Sequence, residues 1–192
     1  SMKNLIQIFK SDRIYIPFFV QDNPEQIYEL LIYLYLNSID ANNEYINLIL
    51  EMIDYLLKNK AKVILLSHLG KVDHKDPEKC EADKKKNDMA PVAVRLQEYM
   101  PNSKVTFVNA TRGAELEAAV ANLAEGDIVL MQNTRYEKGE SKNDAELSAY
   151  WASLGDLYVS DAFGSVHRAH ASTVGIPSIL PSAVGFLIAK EL

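Results

Sequence analysis

Three short stretches of this chain concentrate side chains that can bind an anion. They are His68-Leu69-Gly70-Lys71, Asn133-Thr134-Arg135, and the run from Gly164 to His170, which packs His167, Arg168 and His170 into four positions. Arg112 stands a few residues beyond a fourth apolar run. Arginine presents a planar fork of N–H donors that fits carboxylate or phosphate. Histidine adds a donor whose charge responds to pH. Glycine beside them lets the backbone approach a ligand closely. The combination points to a pocket for a small anion carrying phosphate and carboxylate groups. For any one residue the plain alternative is structural: Arg135 pairing with Glu137 or Glu140, or His68 as a hydrogen-bonded strand end.

Other chemistries fit less well. His167 and His170 could share a helical face and bind a metal, with His68 and His74 as the remaining histidines. Zinc needs three or four ligands, and no cysteine or carboxylate cluster completes a set, so no metal is expected. The chain holds no G-x-S-x-G elbow, no G-x-G-x-x-G and no G-x-x-x-x-G-K-[ST]. Cys80, the one cysteine, lies in the charged stretch DPEKCEAD, with no activating partner evident nearby in sequence.

The elements that must position these residues read as alternating strands and helices. KVILLS (62–67), KVTFVN (104–109), DIVLMQ (127–132) and LYVSD (157–161) are apolar runs of strand length. Between them, residues 89–99 (with Pro91 in the first turn), AELEAAVANLA and AELSAYWASL read as helices, and KVDHKDPEKCEADKKKND reads as a solvated charged loop. Continuously apolar strands alternating with helices indicate a parallel sheet covered on both faces. The expected fold is α/β: a doubly wound, Rossmann-like parallel sheet in three α/β/α layers, forming a single domain. In such sheets ligands sit beyond the carboxyl ends of the strands, which is where all three stretches fall.

The first 60 residues differ in texture. They contain no glycine, all eight glycines lying at or after Gly70, yet they hold six of the ten tyrosines. There, RIYIPFFV (13–20) reads as a strand, followed by helices over about 24–37 and about 42–60, the second with an apolar stripe through Ile46, Ile49, Leu50, Ile53, Leu56 and Leu57. A net charge of −6 argues against a nucleic-acid partner. No apolar run approaches the roughly 20 residues a membrane helix needs. A single cysteine suits a reducing, cytoplasmic setting. Ser1 ahead of Met2 reads as a processing remnant, and no signal peptide is evident. A monomer is expected, with residues 24–60, including Tyr28, Tyr33 and Tyr35, as the alternative dimer face.

The stretches AKVILLSHLGK, MAPVAVRL, KVTFVNATRG, EAAVANLAEGDIVLMQNTRYEKGESKNDAEL, SLGDLYVSDAFGSVHRAHASTVG and SAVGFLIAKEL resemble the N-terminal domain of phosphoglycerate kinases, of the bacterial branch. The resemblance covers residues 61–192 almost continuously. It implies two doubly wound domains with a cleft between them, the first holding 3-phosphoglycerate or 1,3-bisphosphoglycerate and the second Mg-ADP or Mg-ATP. It assigns substrate-binding roles to His68, Lys71, Arg135 and Arg168, with His170 and Gly164 in support. Lys71 stands where the family often has arginine, keeping the charge but not the fork. Three family contacts are altered: Phe19 and Gln21 fall where the simplest register expects Asp and Asn, and Tyr45 falls at the place of an arginine. Residues 1–60 thus read as a diverged, foreign or redesigned segment completing or flanking the sheet.

The resemblance implies a substrate-binding half that binds weakly, needs no cofactor of its own and transfers no phosphoryl group alone, the nucleotide domain being absent. Two other readings remain: a non-enzymatic interaction or engineered protein on this scaffold, and a small enzyme using His167 or His170 as a general base near Asp161.

Overall fold

The computed structural model describes residues 29–34, 44–161, 168–186 and 189. Among them, strands β1 (Glu29–Leu34), β2 (Lys62–Ser67), β3 (Val105–Val108), β4 (Ile128–Met131), β5 (Leu157–Asp161) and β6 (Ser182–Val184) form one sheet in the order β3-β4-β2-β1-β5-β6. Every pairing is parallel, so all carboxyl ends lie along one edge. Helices α1 (Glu44–Lys58), α2 (Pro77–Lys86), α3 (Ala90–Tyr99), α4 (Ala114–Ala121) and α5 (Ala145–Ala152) complete the described elements, together with short 3-10 turns and a five-residue π turn at Ala171–Gly175.

Side-chain alternation sorts the core into two layers. Val63 and Leu65 of β2, Ile128 and Leu130 of β4, and Val159 of β5 pack with Ile53 and Leu56 of α1 and with α3. Ile64, Leu66, Val129, Met131 and Tyr158 face the other way, onto α4, α5 and the buried ring of Trp151. Trp151 Nε1–H donates to the Thr111 carbonyl at 2.8 Å, which satisfies the one polar atom of the indole. The expected three-layer α/β/α sheet is therefore present.

Two expectations are corrected. The helix expected over about 24–37 gives way at 29–34 to β1, which pairs with β2 on one side and β5 on the other. An apolar run of this length fits either state by periodicity, and the vacancy between two parallel strands selects the strand. The charged stretch expected as a loop forms α2. Asp76 caps it, its Oδ1 accepting from Glu78 N at 3.0 Å and Lys79 N at 3.1 Å, with Pro77 in the first turn and three lysines in the last. No residue of α2 is buried, so apolar periodicity could not reveal it. The strand expected at 13–20, the positions Phe19 and Gln21, and Tyr28 and Tyr35 of the candidate dimer face lie outside the described residues, as do Gly164 and His167.

Candidate functional site

The edge formed by the strand ends carries a cavity of about 370 Å³, lined by His68, Gly70, Lys71, Val72, His74, Arg135, Glu137, Ser141 and Arg168. Its volume lies within the roughly 300–1,000 Å³ range of small-ligand sites. All four residues expected to bind an anion line it, drawn from three loops: His68 and Lys71 after β2, Arg135 after β4, and Arg168 after β5.

The β2 loop is shaped by Gly70, whose φ of +61° lies in the left-handed region. A Cβ there would sit 2.3 Å from Asn87 Oδ1. That asparagine donates through Nδ2 to the Lys71 carbonyl at 2.9 Å, so the tight approach is what holds the loop. The β4 loop is fixed by a buried amide pair. Gln132 Oε1 accepts from Met89 N at 3.0 Å and Asn133 N at 2.8 Å, while its Nε2 donates to Asp88 and Asn109. Asn133 Nδ2 donates to the carbonyls of Leu69 (2.8 Å) and Asn87 (2.9 Å), and its Oδ1 accepts from Arg135 N at 3.0 Å. One fully buried asparagine thus locks the His68–Lys71 loop to the Arg135 loop. It is committed to the framework and does not line the cavity.

Arg135 is held at both backbone polar groups, since His74 Nε2 donates to its carbonyl at 2.9 Å. Its Nε is buried without a hydrogen-bond partner. Neither Glu137 nor Glu140 forms an ion pair with it among the described residues. Glu137 Oε1 accepts from Thr111 Oγ1 at 2.6 Å. Glu140, 0 % exposed, accepts from Ser172 N at 3.0 Å and from Ser172 Oγ. Burial pushes the Glu140 carboxyl above its ordinary range, against the Ser172 bonds and the charge of Arg135.

His68 is 7 % exposed. Burial first, then the charges of Arg135, His170 and Arg168, lower its pKa from 6.5 to about 4. At neutral pH it is an uncharged ring among cations, able to donate or accept a hydrogen bond. His170, also buried, does not line the cavity and directly precedes the π turn, its carbonyl accepting from the N–H groups of Thr173, Val174 and Gly175. A π turn of this kind often accompanies a functional site. It packs tightly on α5: a Cβ at Gly175 would lie 1.9 Å from Ser148 Oγ.

Arg112 is not brought to this cavity. It pairs with Glu146 at 3.1 Å, lies 5.3 Å over the Tyr150 ring and lines a separate depression. His74 and Ser141 are lining residues that spacing did not single out. Cys80 differs from expectation too: it is half-buried, with Sγ 3.8 Å from His74 Nδ1, a partner six residues away in sequence.

The phosphoglycerate kinase family model matches residues 37–192. The chain belongs to the phosphoglycerate kinase family. It is 52 % identical over 156 residues to the phosphoglycerate kinase of Listeria monocytogenes, covering 79 % of this chain and 38 % of that protein. With the enzyme of Enterococcus faecalis it shares 49 % over 161 residues, 81 % of this chain and 39 % of the relative. The chain therefore spans less than half the length of the phosphoglycerate kinases it matches. The solved phosphoglycerate kinase of Coxiella burnetii superposes with a TM-score of 0.68 at 31 % identity, over 86 % of this chain and 40 % of that one. The fold also matches the Pyrococcus horikoshii structure, with a TM-score of 0.72 at 24 % identity over 85 % of this chain and 41 % of that one. The family match begins at residue 37, downstream of Phe19 and Gln21 and 24 residues before the stretch in which the family motifs were legible. It takes in α1 and Tyr45 but not β1.

Proposed function

We propose that this chain is the substrate-holding part of a phosphoglycerate kinase. The observation that supports it best is the convergence of His68, Lys71, Arg135 and Arg168 on one cavity at the strand ends. Arg135 and Arg168 supply charge and fork-shaped donors for the phosphate and carboxylate of 3-phosphoglycerate or 1,3-bisphosphoglycerate. Neutral His68 supplies a directional hydrogen bond, and Lys71 a point charge without the fork. His170 supports the patch.

Phosphoryl transfer needs a positioned nucleotide, a metal ion and charge stabilisation at the moving group. The resemblance places the Mg-nucleotide on a second domain, and the chain matches less than half of its relatives' length. Alone, the chain binds substrate and does not turn it over. The cytoplasmic setting of a glycolytic enzyme accompanies this reading.

The test is calorimetric titration of 3-phosphoglycerate into the chain and into Arg168→Ala. Binding by the first and at least tenfold weaker binding by the second is expected, as when one charged hydrogen bond is lost. No heat from the unaltered chain overturns the proposal.

A further inference from the structure

Arg135 and Arg168 reach the cavity from loops that follow different strands, β4 and β5. An anion bridging both requires their separation to be fixed before it arrives, because ordering them on binding would weaken affinity. The Gln132–Asn133 pair ties the Arg135 loop back to β2, not across to the Arg168 loop. Among the described residues, Glu140 makes a direct polar tie that crosses. It lies five residues after Arg135, is fully buried, and takes both the backbone N–H and the hydroxyl of Ser172, four residues after Arg168. Ser172 is the second residue of the π turn, the carbonyl of His170 just ahead of that turn gathers three N–H groups, and His170 N in turn donates to the Arg168 carbonyl at 3.1 Å. From Ser172 the link to Arg168 runs through the next residue of the turn: Thr173 N donates to the His170 carbonyl and Thr173 Oγ1 to the Arg168 carbonyl. On its other side the carboxylate lies close enough to Arg135 to feel its charge, without forming an ion pair among the described residues.

We infer that Glu140 is a positioning residue, setting the spacing of Arg135 and Arg168 by clamping Ser172 from beneath the Arg135 loop. It does not touch the cavity and acts through the two arginines. The shape of the anion site then depends on a carboxylate that accepts two hydrogen bonds from one serine, which neither an amide nor a shorter acid reproduces. The inference rests on the proposed anion site but can be tested apart from it.

The variants are Glu140→Gln, Ser172→Ala and the double substitution, each checked for folding by circular dichroism. Two readings are taken: 3-phosphoglycerate affinity by calorimetry, and hydrogen exchange at Arg135 Nε–H by NMR in the ligand-free chain. Weaker binding by about tenfold in Glu140→Gln is expected, with the double variant no weaker than the worse single one, since both remove one clamp. Arg135 Nε–H, buried in the unaltered chain, should exchange at least several-fold faster. A purely structural role would lower the melting temperature yet leave both affinity and Nε–H exchange unchanged, and that result overturns the inference. If the unaltered chain does not bind 3-phosphoglycerate, the proposed function fails and the exchange measurement alone decides: faster exchange in Glu140→Gln sustains the positioning role, and equal exchange removes it.

Discussion

Acidification should unfold this protein through His68 in a way one substitution can expose. The ring is held at a pKa of about 4 against an ordinary 6.5, so the fold disfavours its protonation by about 3 kcal/mol. The folded pKa is depressed, so the unfolded chain binds the proton more readily. The stabilisation is complete above about pH 6.5 and is lost as pH falls towards 4. Near pH 5.5 an unfolded ring carries about 0.9 proton and the folded one about 0.03, so stability should fall by about 1.2 kcal/mol per pH unit. Between about pH 7 and pH 4.5 the loss from this group is about 2 kcal/mol. Glu140 works in the opposite sense, because its raised pKa gives stability at low pH that is lost as pH rises through its folded value. The assay is urea unfolding of the unaltered chain and of His68→Gln across that range, comparing slopes with pH and not absolute stabilities. Carboxylate contributions, Glu140 included, cancel in the comparison. Parallel slopes in the two proteins would show that His68 is not held neutral, and the account of the cationic surround would be wrong.

Two further outcomes follow from the loops behind the cavity. Gly70→Ala introduces a Cβ 2.3 Å from Asn87 Oδ1 at a φ of +61°. It should destabilise by about 1–3 kcal/mol and weaken anion binding together, read by thermal unfolding and calorimetry. Asn133→Ala leaves the carbonyls of Leu69 and Asn87 without their donor, so a loss of about 2–4 kcal/mol in denaturant unfolding is expected.

The legible parts of this protein were those whose signal is local. KVILLS is a strand because four consecutive apolar residues between Lys62 and Ser67 leave few options, and β2 has those limits. The anion site was readable because the carboxyl ends of parallel strands share one edge, so His68, Arg135 and Arg168 needed no contact information to be grouped. What was hidden depends on distant partners. ELLIYL becomes a strand only because β2 and β5 leave a place for it. Asn133 looked like a ligand group, and only the carbonyls 64 and 46 residues away reveal it as a strut. Glu140 looked like an ion-pair partner for Arg135, whereas its bonds go to Ser172, 32 residues on. The isolation of α2 from the core removed the apolar stripe by which helices are recognised, leaving only the Asp76 cap and Pro77 to announce it.

The place of β1 has a consequence for how the chain can be divided. The strand precedes the first family-matched residue, yet it lies mid-sheet with a neighbour on each flank. A fragment beginning at residue 37 would have two open seams where β2 and β5 now meet β1, each a row of unsatisfied amides and carbonyls inviting another chain. The stretch that the family model matches thus lacks one strand from the middle of its own sheet. During synthesis β1 emerges early and must wait for β5, more than a hundred residues later, before its second flank is covered.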